Sequence, residues 1–283
     1  MSLRGLGELG LLELIRPYLG AGAGRDDAAV IDDGHRFLVA SVDIFVEGVH
    51  FDFGWETPAD VGWRALALAL GDLAAKGAKP EWALASVAMP EGWDVNRLTG
   101  IYEGMHWLAA HHRLTIAGGD MSSTPGPAVL SLTVMGRTET RPLARADIKP
   151  GWTVGVTGAL GAAAVALRER KPLRLEPLIE DGVRLNGLGL VCGDVSDGLV
   201  REMEKFAAMA DVGCILEAAA VPRAAGASLE EALTSGEEAQ LVCVGPDERV
   251  RKAGLQVVGR TTAESRVTVV GAELESTGYD HFA

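Results

Sequence analysis

The run FLVASVDIFV (37–46), followed by TPADVGWRALALALGDLAAKGA (57–78), decides the fold. The first is rich in β-branched and aromatic residues, and its pattern predicts a strand. Strand side chains alternate faces, so Ser41 and Asp43 point the same way. A hydroxyl and a carboxylate on one face of an apolar strand call for a partner. In the second run, Thr57 is a helix N-cap, Pro58 takes the first helical position and Asp60 falls in the first turn. The predicted helix reaches about Gly77 and is nearly all apolar, yet it contains Asp72. A buried, unpaired carboxylate is costly, so Asp72 must be protonated, hydrogen-bonded or neutralised by a metal.

Outward from this pair the chain mixes strands with helices. Residues 6–19 form a short amphipathic helix, broken by Gly20, Gly22 and Gly24. That order, helix then glycines then strand, is the reverse of a dinucleotide fingerprint. AAVI (28–31) and ALASVAM (83–89) read as strands. A helix spans about Asp94 to His111, with Leu98, Ile101, Met105 and Leu108 at core spacing. Next come strand LTIA, a loop at GGD (118–120) and strand VLSLTVMGR. The Pro- and charge-containing stretch 140–151 marks a domain boundary. TVGVTG then enters a turn at Gly158–Gly161 and an Ala-rich helix whose N-terminal amides could receive an anion. In GDVSDGL (193–199) Ser196 is the expected N-cap of a helix. Leu199, Met203, Phe206 and Ala210 of that helix face inward, and Arg201, Glu202, Glu204 and Lys205 face outward. Strands near CILEA, QLVCVG, LQVVGR and RVTVVG complete a second half. The fold class is α/β, of α+β type, in two domains.

Length and composition set bounds. A chain of 283 residues with 48% hydrophobic and 23% charged residues is an ordinary globular protein. Its net charge of −13 disfavours nucleic acid as a partner. The longest apolar run is interrupted by Asp72 and Lys76, and MSLRGLGELG lacks a signal-peptide core, so no membrane association is expected. Cys192, Cys214 and Cys243 have no CxxC spacing and lie in apolar runs. They read as buried thiols in a reducing, cytoplasmic setting.

The chemistry lies in recurrent aspartates among small residues: RDDAAV (25–30), SVD (41–43), GDLAA (71–75), GGD (118–120) and GDVSDG (193–198). Mg²⁺ prefers such hard oxygen ligands and usually shares them with substrate phosphates. Two bare carboxylates 4 Å apart repel by about 4 kcal/mol at an effective dielectric near 20, so their convergence would demand cations. The pattern suggests phosphate chemistry, with metal rather than lysine supplying most of the positive charge. P-loop, HExxH and GxSxG patterns are absent. His111 and His112, at a helix end, read as solvated or dipole-complementing rather than as ligands.

As an ordered set, DDAAV (26–30), SVDIFVEGVHF (41–51), ALGDLAAKGAKP (69–80), AGGDMSS (117–123), RADIKPGW (145–152), DVSDGL (194–199), SGEE (235–238) and GYDHF (278–282) resemble the thiamine-monophosphate kinase family. That family belongs to a superfamily with aminoimidazole ribonucleotide synthetase, selenophosphate synthetase and a hydrogenase maturation protein. The resemblance implies a kinase that transfers the γ-phosphoryl group of ATP to thiamine monophosphate, giving thiamine diphosphate, with several Mg²⁺ ions. It implies a homodimer whose interface is a β-barrel made by the N-terminal halves. Residues 1–143 would be the ATP- and magnesium-binding, dimerising domain, and 144–283 would complete the active site.

Carried over by position, Asp27, Ser41, Asp43, Asp72, Asp120, Asp194 and Asp197 would hold metal. Tyr102, Gly119, Asp120, Arg145 and Ser196 would contact ATP, and His50, Glu237, Tyr279 and Phe282 the thiamine substrate. A phosphate acceptor is already nucleophilic near neutral pH, so the catalysis expected is metal-assisted, with no general base; His50 suits a neutral hydrogen-bonding role. The chain departs from the family pattern at Arg25, Val42 and Ala239. The alternatives are a sibling ATP-dependent synthetase and a non-catalytic metal–nucleotide-binding regulator. A reactive cysteine, the mark of two sibling branches, is missing both from residues 20–24 and from 281–283.

Overall fold

In the computed structural model, which describes residues 5–20 and 23–282, helix α1 (Gly7–Ile15) precedes strands β1 (Ala29–Asp32) and β2 (Phe37–Val46). Gly22 lies outside the described residues. Helix α2 (Pro58–Ala75) starts where the Thr57 hydroxyl accepts a hydrogen bond from Asp60 N at 3.2 Å. Strand β3 (Lys79–Met89), helix α3 (Val95–His111) and strand β4 (Thr115–Ser123) then form a parallel β–α–β crossover. Strand β5 (Val129–Thr138) inserts between β2 and β3, antiparallel to both, and the sheet order is β1-β2-β5-β3-β4.

The two faces of this sheet differ. One, carrying Val39, Phe45, Ala83, Val87, Leu130, Leu132 and Val134, is buried under the helix layer. The other presents Ile31, Val42, Ile44 and Leu84 to solvent, aligned by the strand registers. The sheet is open, with β1 and β4 as its edges. The expected GGD loop is corrected: β4 runs straight through Gly118, Gly119 and Asp120. Pairing with β3 continues there because Gly119 lets the strands approach; a Cβ at Gly119 would lie 1.7 Å from Ala85 O.

The second half comprises β6 (Thr153–Val156), α4 (Ala162–Glu169), α5 (Ile179–Gly187), β7 (Val191–Val195), α6 (Leu199–Ala210), β8 (Gly213–Glu217), α7 (Leu229–Thr234), β9 (Glu238–Gly245), α8 (Asp247–Lys252), β10 (Gln256–Thr262) and β11 (Val267–Val270). Its strands form one mixed sheet ordered β11-β8-β10-β6-β9-β7. Helix α2 joins the halves: it packs on β2, β5 and α3 in the first and on α5, β7 and β9 in the second. That is why nearly all of its side chains are buried. At its C-terminal end the approach to α5 is close enough that a Cβ on Gly182 would lie 2.0 Å from Ala74 O.

One expectation about the cysteines is corrected. The antiparallel register of β7 and β9 sets Cys192 opposite Cys243, and the two form a disulfide; Cys214 is a buried free thiol, with its pKa pushed up to about 12 by burial. Sequence spacing carried no trace of this, because a 51-residue separation becomes a neighbour only through strand register. Among the described residues no helix is long and apolar enough to cross a membrane.

Candidate active site

A cleft of about 800 Å³ opens between the two halves. Its floor is built from four places in the chain. The loop before β1 carries Asp26 and Asp27, β2 carries Ser41 and Asp43, α2 carries Asp72, and β7 with the turn after it carries Asp194, Ser196 and Asp197. Strand alternation does what the sequence implied: Ser41 and Asp43 share the face toward α2, where the Ser41 hydroxyl bonds Asp72 Oδ2 and lies 3.2 Å from Asp27 O. One carboxylate oxygen each from Asp27, Asp72 and Asp194 lies within 4.8 Å of the others.

Fixed cations partly balance this charge. Lys76, fully buried, pairs with Asp26 and, at 3.0 Å, with Asp27 Oδ2, and donates to Cys192 O at 3.2 Å. Arg145 pairs with Asp27 and with Glu202 at 2.7 Å, its guanidinium 5.4 Å from the Phe206 ring. Lys205 bridges Asp197 and Glu202. Lysine and arginine therefore supply part of the positive charge. Even so, seven carboxylates (Asp26, Asp27, Asp43, Asp72, Asp194, Asp197, Glu202) face three cations.

The acidities record that imbalance. Burial, reinforced by Asp194, Asp43 and Asp27, holds the pKa of Asp72 well above the usual range. Asp194 is raised by burial and by Asp27, Glu202 and Asp43. Asp43 rises to about 6 through burial and the nearby Asp197. Asp27 goes the other way: burial opposes its ionisation, but Arg145 and Lys76 overcome that and keep its pKa low. Its Oδ2 is nonetheless buried without a well-aligned hydrogen bond. Such a nest, rich in hard oxygen donors and short of positive charge, suits divalent cations.

The far wall holds a second constellation. His50 Nδ1 accepts a hydrogen bond from Val46 N at 3.0 Å, which leaves the proton on Nε2. Burial, His281 and Arg64 push its pKa down to about 4, so the ring is neutral near pH 7. Arg64 of α2 donates to His50 O and pairs with Glu56 and Glu237. Glu237 adopts a left-handed backbone (φ 57°), an uncommon state for a non-glycine residue that tends to occur at functional sites. Tyr279 N donates to Asp197 O at 3.0 Å, and its ring packs edge-on against His281.

Of the residues expected from the sequence, Asp27, Ser41, Asp43, His50, Asp72, Arg145, Asp194, Ser196, Asp197, Glu237 and Tyr279 line this cleft. Phe282 is outside the lining, its ring centroid 6.4 Å from that of His281. Tyr102 and Gly119 meet elsewhere, both against Ala85 O at the β3–β4 edge. Asp120, beside Gly119, is exposed on the bare face of the sheet. Three strand steps separate β4 from β2, or roughly 14 Å, so one chain does not bring Asp120 to the acidic floor. The departure at Val42 leaves that floor intact, since its side chain points to the bare face.

Several local expectations are corrected. Glu202 and Lys205 are buried, because α6 turns that side toward Arg145 and the cleft. Ser196 does not cap α6: Gly198 is the N-cap, and the Ser196 hydroxyl lies 3.2 Å from Glu202 Oε1. The anion received at the start of α4 is the chain's own Glu238, whose Oε1 accepts from Gly161 N at 2.8 Å and Ala163 N at 3.1 Å. Arg64, Lys76 and Glu202 were missed as site residues. The signal for the first two was present, since each is a lone base in an apolar helical run.

A family profile described as "AIR synthase related protein, N-terminal domain" matches residues 25–138. Thiamine-monophosphate kinase from Rhodopirellula baltica is 33% identical over 89% of this chain and 87% of its own. The protein of that name from Synechococcus elongatus is 31% identical over 87% of this chain and 84% of its own. A solved structure described as "AaThiL complexed with AMPPCP and TMP" superposes with a TM-score of 0.88 at 28% identity, covering 100% of this chain and 99% of that one.

Proposed function

We propose a ligand set and a division of labour from one premise: this chain belongs to the thiamine-monophosphate kinase family. The chain is an ATP-dependent kinase that phosphorylates thiamine monophosphate to thiamine diphosphate, in keeping with the ligands named for its relative, AMPPCP and TMP. The observation that carries the rest is the convergence of Asp27, Asp72 and Asp194 within 4.8 Å, with Asp43 and Ser41 alongside.

In this reading Asp27, Ser41, Asp43, Asp72, Asp194 and Asp197 hold Mg²⁺. The buried Oδ2 of Asp27, which has no well-aligned hydrogen bond, and the raised pKa values of Asp43, Asp72 and Asp194 support the fit, because these three become better ligands than proton carriers once a cation arrives. Bound there, magnesium supplies charge neutralisation for the polyphosphate and the developing transition state. The chain's own residues do the positioning. Arg145, held by Asp27 and Glu202, and Lys205, held by Asp197 and Glu202, keep fixed positive charge at the phosphate end. Neutral His50 offers Nε2–H as a donor on the acceptor side, and Glu237, pinned by Arg64, meets the cationic thiamine moiety. Tyr279 forms the neighbouring wall, with Phe282 behind it. A phosphate oxygen of the acceptor requires no general base to take a proton from it.

Residues 1–143 would bind ATP and magnesium and dimerise, while 144–283 close the site; the proposed compartment is the cytoplasm. The bare sheet face with Ile31, Val42, Ile44 and Leu84 supports a homodimer in which two such sheets form a barrel. In that assembly Tyr102, Gly119 and Asp120 would serve the nucleotide of the partner subunit. The Cys192–Cys243 pair, 3% and 0% exposed, is shielded from small thiols in the folded chain.

The test is a coupled assay with ATP, Mg²⁺ and thiamine monophosphate, with aminoimidazole precursors as controls. Thiamine diphosphate formed only with Mg²⁺ is the expected result. ADP released only with another acceptor would reject the kinase, and ATP binding without turnover would favour a regulator.

A further inference from the structure

We propose that His111, His112 and Glu176 form a binding site for one divalent first-row transition-metal ion of the Zn²⁺ class, separate from the acidic cleft. The site lies where α3 ends against the segment leading into α5. It lines a recess of about 570 Å³.

Three donors meet there. Nε2 of His112 is 3.0 Å and Nε2 of His111 is 3.2 Å from the same oxygen, Glu176 Oε1. Ligands 2.0–2.2 Å from a tetrahedral zinc ion are themselves about 3.3 Å apart, so these spacings match a shared ion. Both distances also lie within hydrogen-bond range. Nε2 of His112 is buried yet has no well-aligned hydrogen bond, and one carboxylate oxygen faces two imidazole nitrogens at once.

The backbone builds this arrangement. Helix α3 stops at His111, and His112 leaves it with φ −90° and ψ 6°, so that adjacent residues, which would diverge on a continuing helix, bring their rings edge to face at 5.0 Å. Arg113, at φ 56°, then turns the chain away. On the other side Glu176 precedes Pro177, which restricts it to an extended backbone.

The donor set selects the ion. Two imidazoles and one carboxylate suit zinc, copper, nickel or iron, whereas magnesium prefers oxygen alone. Lys79 and Arg113 line the same recess and oppose a cation, while Glu180 and Asp181 offset them. Three protein ligands leave a fourth position for water. Because α3 covers the first sheet and α5 belongs to the second half, an ion here would fasten the two halves outside the acidic cleft.

The experiment titrates Co²⁺, followed by its visible ligand-field band, and Zn²⁺, followed by calorimetry, into the full chain under saturating Mg²⁺. One equivalent is expected in the wild type and in Asp72→Asn. Binding should weaken more than about tenfold in His111→Ala, His112→Ala and Glu176→Gln, since even outer-sphere losses cost that much. His111 and Glu176 are surface residues, so their variants stay informative if His112→Ala misfolds. No band in the wild type, or unchanged affinity in His111→Ala and Glu176→Gln, overturns the proposal. Loss of the equivalent in Asp72→Asn would assign the ion to the cleft and overturn it as well.

Discussion

Asp27, Asp72 and Asp194 converge from a loop, a helix and a strand beneath the cleft, whereas His111, His112 and Glu176 converge at a surface recess from one helix end and the segment before a proline. The first cluster is all oxygen, deep, and surrounded by further acids and by three fixed cations. The second is mostly nitrogen, shallow, and lightly charged. In the first, assembly from distant segments creates strong mutual repulsion, which a ligand can relieve. In the second, the local chain geometry does most of the placing and little electrostatic strain accumulates. Depth and charge, rather than the mere presence of metal-capable side chains, separate the two clusters.

The largest effect is expected at the centre of the deep cluster. Asp72→Asn should lower turnover on the order of 10²–10³-fold while leaving melting temperature in metal-free buffer unchanged or higher, because one repelling carboxylate is gone. Steady-state kinetics and thermal melts of the same preparation check both halves. A loss of fold instead of turnover would show that the acid is structural.

Next comes the split between the cleft and the β3–β4 edge. Co-purified Asp72→Asn and Asp120→Asn chains, each inactive alone, should recover about a quarter of wild-type activity if Asp120 serves the partner subunit's site, because half the dimers would carry one intact site. No recovery would return Asp120 to its own chain.

A smaller effect concerns pH. Asp43, Asp72 and Asp194 have raised pKa values in the fold, so the native state binds more protons than the unfolded one. Their stabilising contribution is full below the unfolded value of 3.8 and, for Asp43, is lost as pH rises through about 6. Metal-free stability should fall over that window by up to about 1.4 kcal/mol per pH unit for each such group. Added Mg²⁺ should therefore raise the melting temperature more near pH 8 than near pH 5. The smallest effect belongs to the shallow cluster: without transition metal, His111→Ala should change stability by less than about 0.5 kcal/mol and leave kinase activity unchanged.

What could be read from residues alone follows the same division. The long helix announced itself through Thr57, Pro58 and Asp60, and strand alternation put Ser41 and Asp43 on one side; both are local rules with local consequences. GGD reads as a loop because two glycines usually break a strand, whereas here Gly119 admits a neighbouring strand. Polarity alone points Glu202 and Lys205 outward, but an ion pair can satisfy a buried face as well as hydrophobicity does. Cys192 and Cys243, like Glu238 at the head of α4, depend on strand register or loop packing across the second half, which no window of sequence contains.

Helix α2 has a consequence for engineering. It supplies Asp72 and Arg64 to the site, yet its flanks are clad by elements from both halves, down to the near contact between Ala74 and Gly182. Chimaeras that exchange the region after residue 143 with a relative's would therefore inherit a mismatched seat for this helix. Their first symptom should be mispositioned phosphate chemistry, before any visible unfolding, and a productive graft would have to transplant the matching surfaces of α5, β7 and β9 as a set.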